Sequence, residues 1–325
     1  ERTRMSLYLG FDTSNYTTSV ALYDPEQDRV WHAKRLLPVK PGEKGIRQSD
    51  AVFHHTQQLP ELLETTLSEA AGAMHLSRKQ LTAEIAGIGV SSRPRRVEGS
   101  YMPCFTVGLT QAKDLGAVLD LPVTEFSHQE GHIAAALYSA GRLDLVGTGF
   151  CAFHVSGGTT ESLFVLPGTE CLLEARLEGT STDLKAGQAI DRTGVMLGLP
   201  FPAGPALEQL ALKSDRTFKI RPSAAGLDVS LSGVENKCQK MLADGETPED
   251  IALFCLRSVE AALQSMADAL LERHPGTHLV FSGGVMSNGT LRRDFEARYD
   301  CSFAAPEFSA DNAAGAAVLA ALHAE

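Results

Sequence analysis

Two histidines four residues apart, His128 and His132 in SHQEGHIAAALYSAG, have the spacing that speaks most directly of chemistry. Ser127 and Glu130 around the first of them form the Ser-x-x-Glu pattern of a capping box, which predicts a helix starting near His128. Side chains four apart on a helix lie on one face, so both imidazoles can offer a nitrogen to a single ion. A third ligand must come from elsewhere. Asp311, in SADNAAG at a turn-to-helix junction, is the best carboxylate candidate. Two histidines and one carboxylate leave coordination positions open, which suits iron or zinc acting as a catalytic Lewis acid.

Three turns have the composition to cradle phosphate. They are DTSNYTTS at 12 to 19, with Asp12 and Ser14; SGGTTES at 156 to 162, with Ser156, Gly157, Gly158 and Thr159; and SGGVMSN at 282 to 288, with Gly283, Gly284 and Asn288. Backbone amides exposed at such turns, and at a helix N-terminus following one, bind anionic oxygens without cationic side chains. Any one alone is a weak signal, because glycine turns between strands are usually just turns. The three in this order form a more specific set. A fourth stretch, AGQAIDRTGVMLGLPFPAGPALEQLA at 186 to 211, places Asp191 on a helix and Gly204 in a proline-bounded turn before a second helix carrying Glu208. Both carboxylates can accept bonds from ribose hydroxyls or ammonium groups, although Asp191 can equally pair with Arg192 or cap locally.

Hydrolase chemistry finds little footing. No GxSxG elbow or HExxH helix is present, and Ser156 has no base at fixed spacing. The six cysteines show no CxxC pair, so neither a zinc-thiolate site nor a disulfide framework is indicated, and Cys104 and Cys151 read as core residues.

The elements that must position these residues repeat. LYLGFDTSNYTTSVALYD at 7 to 24 reads as strand, hydroxyl-rich turn, strand, and FCAFHVSGGTTESLFVL at 150 to 166 repeats the plan. Helical patterns follow at 60 to 75, 105 to 119 and 251 to 273, the last leading through a strand and glycine turn into another helix. The pattern predicts two similar α/β lobes, residues 5–121 and 122–325, divided near Pro122. The last helix, about 310–323, carries small residues that let it pack closely on a neighbour, with Ser309 as its expected cap.

At 325 residues the chain is long enough for two such lobes. A net charge of -11 works against binding a polyanion over the whole surface, so contact with nucleic acid needs a local basic patch or a basic partner. Candidate patches are Arg93, Arg95 and Arg96; Lys213, Arg216, Lys219 and Arg221; and Arg292, Arg293 and Arg298. No apolar run approaches a bilayer-spanning length and no secretory core is seen, so no membrane association and a cytoplasmic location are expected. Glu1 to Arg4, ahead of Met5, read as an appended tail outside the fold.

Together GFDTSNYTTSVALYD, GLTQAKDL, SHQEGHIAA, VSGGTTES, AIDRTGVMLGLPFPAGPALEQLA, LSGVENK, FSGGVMSNGTLR and SADNAAG resemble the tRNA N6-adenosine threonylcarbamoyltransferase family (TsaD in bacteria, the Kae-type subunit elsewhere), once labelled O-sialoglycoprotein endopeptidase. The resemblance runs over nearly the whole chain from Met5. It implies the actin-like ATPase fold, two duplicated lobes with a ligand cleft between them, and one divalent metal, iron or zinc, held by His128, His132 and Asp311. It also implies that Val155, Ser156, Gly157, Gly158 and Thr159, with Asp191, Gly204, Glu208 and Asn288, line a site for ATP or threonylcarbamoyl-AMP. The implied reaction passes the threonylcarbamoyl group to the exocyclic amine of an adenine in tRNA. Implied partners are tRNA, proteins that supply the adenylate, and a homo- or heterodimer mate through the N-terminal lobe. The chain departs from the family in three places. Asn15 and Tyr16 stand where an acidic pair is usual, Thr159 where histidine is usual, and SSRPRRVEGSYMP at 91 to 103 where a glycine-rich loop is usual. The alternative is therefore a paralogue that keeps the adenylate and metal but modifies a non-tRNA acceptor, or a nucleotide-binding scaffold.

Overall fold

The computed structural model describes residues 5–14, 16–38, 46–169 and 171–324. The tail Glu1 to Arg4 and the departure at Asn15 lie outside the described residues. The chain divides into two compact units, one of residues 1–143, 168–173 and 310–325, the other of 144–167 and 174–309.

In the first unit, β1 (Leu7–Thr13), β2 (Thr17–Asp24) and β3 (Arg29–Leu36) form an antiparallel meander. After α1 (Gln48–Ala73) and α2 (Arg78–Ala83), β4 (Ile85–Arg93) returns parallel to β1. Then α3 (Phe105–Leu119) leads to β5 (Val123–Ser127), parallel to β4, which runs directly into α4 (His128–Ser139). The sheet order is β3-β2-β1-β4-β5. Leu7, Leu9 and Phe11 on β1 and Val20 and Leu22 on β2 pack with Leu59, Leu62 and Leu67 of α1. The strands are buried along their full length because the opposite face is covered as well.

That second face is covered by the C-terminal helix (Ala314–Ala324), which approaches backbone to backbone. A Cβ on Gly10 would lie 2.5 Å from the Ala313 carbonyl oxygen, one on Gly89 2.0 Å from that of Ala316, and one on Gly315 1.8 Å from that of Gly131 in α4. Only glycine at these places allows the approach. The division expected at 121/122 is thereby corrected: β5 pairs with β4, and the last helix belongs to the first unit. Its cap also differs from expectation. Asn312 Oδ1 accepts the Ala314 N–H at 3.0 Å, whereas Ser309 donates to the Ala305 carbonyl at 3.2 Å.

The second unit repeats the wiring. Strands β6 (Phe150–Val155), β7 (Thr160–Leu166) and β8 (Glu174–Thr180) form the meander. Next come α5 (Ala186–Met196), α6 (Gly204–Ala211), a small hairpin of β9 (Ser223–Ala225) and β10 (Asp228–Ser230), α7 (Ser232–Ala243) and α8 (Pro248–Arg273). The parallel strands are β11 (Leu279–Ser282), beside β6, and β12 (Cys301–Phe303), with α9 (Gly289–Arg298) between them. The order β8-β7-β6-β11-β12 matches the first sheet strand for strand. Phe153, Phe281 and Phe303 stack across neighbouring strands at 4.9 and 5.1 Å, and Phe295 meets Phe281 edge-on at 5.0 Å.

Candidate metal centre and nucleotide site

Helix α4 starts as its sequence dictates. Ser127 Oγ accepts the Glu130 N–H at 3.2 Å and Glu130 Oε2 accepts the Ser127 N–H at 2.7 Å, closing the capping box. His128 is thus the first helical residue, and His132 sits one turn on, its ring 4.4 Å from that of His128. The glycine contacts of the C-terminal helix bring the turn before it to the same place. His132 Nε2 lies 2.8 Å from Asp311 Oδ1, His128 Nε2 lies 3.3 Å from that oxygen, and the two Nε2 atoms are 3.0 Å apart. All three groups lie in the first unit.

Asp12, only 1% exposed at the end of β1, places Oδ2 2.7 Å from His128 Nδ1 and accepts the Ser14 N–H on Oδ1 at 3.0 Å. A carboxylate on Nδ1 fixes a proton there and leaves Nε2 as the ligand nitrogen. Burial disfavours the His128 imidazolium, but the charge and hydrogen bond of Asp12, followed by those of Asp311, override it and hold its pKa well above the ordinary histidine value. Burial likewise acts to raise the Asp311 carboxyl, yet its hydrogen bonds to His128 and His132 hold it well below the usual range. Ser14 Oγ donates to Asp311 Oδ2 at 3.3 Å.

These donors fit a cation. Metal–nitrogen and metal–oxygen bonds of about 2.0–2.2 Å place adjacent ligand atoms roughly 2.8–3.5 Å apart, and the observed separations are 2.8, 3.0 and 3.3 Å. Like-type nitrogens converge here on one carboxylate oxygen, with the first imidazole braced from behind. Asp12 and Ser14, expected in a phosphate turn, are found instead beside His128 and Asp311.

In the second unit the turns at 156–162 and 282–288 lie close together. The Ser156 hydroxyl accepts the Gly158 and Thr159 N–H groups at 3.3 and 3.1 Å, so it shapes its own turn. The first turn of α5 packs on that loop so closely that a Cβ on Gly187 would be 2.6 Å from the Gly157 nitrogen. Gly283 adopts φ 97° and comes so near that a Cβ there would be 2.2 Å from the Val155 carbonyl oxygen. A cavity of about 320 Å³ opens beside these turns, lined by Gly157, Asp191, Gly204, Glu208, Gly284 and Asn288 among the expected residues. Val155, Ser156, Gly158, Thr159 and Gly283 shape the adjoining turns without lining it. Sequence reasoning missed Gly187, Ser287 and the apolar Ile190, Pro202, Pro205 and Val285, which also line it.

The carboxylates are also braced. Asp191 Oδ1 accepts the Ala203 N–H at 2.8 Å, twelve residues on, while Arg192, its expected alternative partner, pairs with Glu235. Glu208 Oε1 accepts the Thr290 N–H at 3.0 Å, and Asn288 Oδ1 caps α9 through Thr290 and Leu291 at 3.1 and 3.0 Å. Cys104 and Cys151 are fully buried, and burial pushes both thiols up to about 11, as core residues require.

The basic clusters are largely neutralised. Arg93 pairs with Glu125, Arg96 with Glu130, Arg216 with Glu246 and Asp250, and Arg292, Arg293 and Arg298 with Glu296, Asp294 and Asp268. Lys213, Lys219 and Arg221 are exposed. Among the described residues, no helix is long and apolar enough to cross a membrane.

A twice-repeated sheet of three antiparallel and two parallel strands, with glycine turns and a carboxylate-lined cavity, defines a protein of the actin-like ATPase fold. In agreement, the chain is similar to (R)-2-hydroxyglutaryl-CoA dehydratase component A of Acidaminococcus fermentans, with TM-score 0.55 and 17% identity over 98% of each chain. It is also similar to a ROK family glucokinase from Streptomyces griseus, with TM-score 0.50 and 11% identity over 97% of this chain and 99% of that one. The chain belongs to the TsaD family, tRNA N6-adenosine threonylcarbamoyltransferase, whose sequence model matches residues 36–318. A tRNA N6-adenosine threonylcarbamoyltransferase of Aromatoleum aromaticum is 32% identical over 330 residues, covering 97% of this chain and 91% of that protein. A probable bifunctional tRNA threonylcarbamoyladenosine biosynthesis protein of Thermoplasma acidophilum is 27% identical over 286 residues, covering 88% of this chain and 49% of that protein. The chain spans about half the length of the bifunctional relatives it matches.

Proposed function

We propose that this chain transfers a threonylcarbamoyl group from threonylcarbamoyl-AMP to the exocyclic amine of an adenine in tRNA. Membership of the family over residues 36–318 carries the reading, and the intact His128, His132 and Asp311 cluster supports it. In the reaction the amine nitrogen bonds the carbamoyl carbon, the bond from that carbon to the phosphate oxygen breaks, AMP departs and the amine loses a proton.

Nε2 of His128, Nε2 of His132 and a carboxylate oxygen of Asp311 would hold one iron or zinc ion. Such an ion supplies Lewis-acid stabilisation of charge developing on the carbamoyl or phosphate oxygens. Asp12 keeps the His128 ring in the ligating tautomer, and Ser14 orients the carboxylate. In the second unit, backbone amides of the glycine turns receive phosphate, the Ile190, Pro202 and Val285 surfaces receive the base, and Asp191 and Glu208 accept ribose hydroxyls. ATP or the adenylate is the ligand of that cavity.

Two of the loop arginines behind the non-tRNA alternative, Arg93 and Arg96, are paired with Glu125 and Glu130. With net charge -11, partner proteins would supply part of the RNA contact as well as the adenylate. Mass spectrometry of tRNA nucleosides tests the function. Cells lacking this gene and any paralogue should regain threonylcarbamoyladenosine when the wild-type gene is restored; continued absence of the nucleoside contradicts the assignment.

A further inference from the structure

Arg96 stands in a loop that is unlike the family's usual glycine-rich one, and the structure gives it a specific task. Its Nε and Nη2 atoms lie 3.2 and 3.3 Å from the two oxygens of Glu130, and Nη2 also donates to the Glu125 carbonyl at 3.4 Å. The guanidinium therefore grips both sides of the junction where β5 turns into α4: the strand two residues before Ser127 and the helix three residues after it. A neighbouring loop group completes the grip, since the Pro94 carbonyl accepts the Gln129 N–H at 3.1 Å. That N–H is one of the helix-start donors without an intrahelical acceptor.

Glu130 is the pivot. Its side chain is 3% exposed, and one oxygen serves both Ser127 N–H and Arg96. A carboxylate so buried needs a cation opposite it, and without one the capping box holds an uncompensated charge. His128 is the residue immediately after the cap, so any loosening of the box moves its imidazole directly. We propose that Arg96 is a positioning residue for the metal centre, acting through Glu130 and the capping box to fix the first turn of α4 and with it His128. The inference rests on the reading of His128, His132 and Asp311 as metal ligands.

The test is titration of the metal-free full chain with Co²⁺, followed by its visible absorption bands. Arg96→Ala should weaken Co²⁺ binding roughly tenfold, the lower end of the range for groups that orient metal ligands. Arg96→Lys, which keeps a charge beside Glu130 but loses the fork, should fall between the two. In a Glu130→Gln background Arg96→Ala should have little further effect, because the route runs through that carboxylate. Hydrogen exchange on the metal-free protein provides a second reading: Arg96→Ala should speed exchange of the Glu130 amide at least tenfold while the α8 amides stay protected. Wild-type affinity retained within twofold in Arg96→Ala, or an equal loss in the Glu130→Gln background, overturns the clamp while leaving the metal reading intact. A wild-type chain that takes up no Co²⁺ overturns both.

Discussion

Asp12 Oδ2 lies 2.7 Å from His128 Nδ1, joining the end of the first strand to the first residue of α4 across 116 positions of sequence. A buried aspartate in a hydroxyl-rich turn has two natural uses, holding a phosphate-bound cation or bracing a ligand. Here it braces the His128 ring. Asp12→Asn keeps the size and one acceptor but removes the charge that holds the Nδ1 proton. The expected result is a loss of metal affinity of about 10–100-fold with little change in fold, read by chelator competition.

The close approach of the C-terminal helix makes a second prediction. Gly315→Ala puts a methyl 1.8 Å from the Gly131 carbonyl oxygen, so the helix must leave α4 and draw Asp311 with it. A loss of about 2–4 kcal/mol in unfolding free energy is expected, together with reduced metal retention. Gly72→Ala, where a new Cβ meets nothing within 4 Å, serves as the control and should be neutral or slightly stabilising.

The pH dependence of stability should carry the mark of His55. This ring is fully buried on α1, its Nδ1 2.7 Å from Thr18 Oγ1, while that hydroxyl donates to Gln58 Oε1 at 2.7 Å. Burial lowers its pKa from 6.5 to about 4, with opposing but smaller help from the Ser14 backbone and Asp12. The unfolded chain therefore binds a proton that the folded chain refuses across that window. The contribution is fully present above pH 6.5 and is lost as pH falls to about 4. Urea unfolding at pH 7 and pH 5 should differ by about 1–2 kcal/mol from this group, and His55→Gln should flatten that part of the profile.

Glu208 provides the check on the second unit. Oε1 is engaged by Thr290, and on the proposed reading the other oxygen accepts a ligand hydroxyl. Glu208→Ala should weaken AMP binding about 10-fold by calorimetry, the scale of one charged hydrogen bond.

Much of this was legible before any coordinates. The repeated hairpins announced two like sheets, and the Ser127 and Glu130 pair announced the helix start that puts His128 and His132 on one face. Local chemistry decides such features, so they can be read locally. The domain division was not legible, because β5 looks like the opening of something new until its parallel pairing with β4 is seen. The return of the last helix to the first sheet depends on Gly10, Gly89 and Gly315, three residues far apart whose shared role is only steric. Asp12 was placed in a phosphate turn because its neighbours are hydroxyls, and its true partner lies on another element. The partner of Arg96 was hidden for the same reason: the buried carboxylate of Glu130 that it meets is distant in sequence.

The claim on which the rest depends is that His128, His132 and Asp311 hold one metal ion. Metal analysis of the full chain after anaerobic loading with Fe²⁺ or Zn²⁺ and gel filtration tests it most directly. The account predicts about one ion per wild-type chain and near-complete loss in both His132→Ala and Asp311→Ala. A wild-type chain that emerges empty, or an Asp311→Ala chain that keeps its full complement, contradicts it.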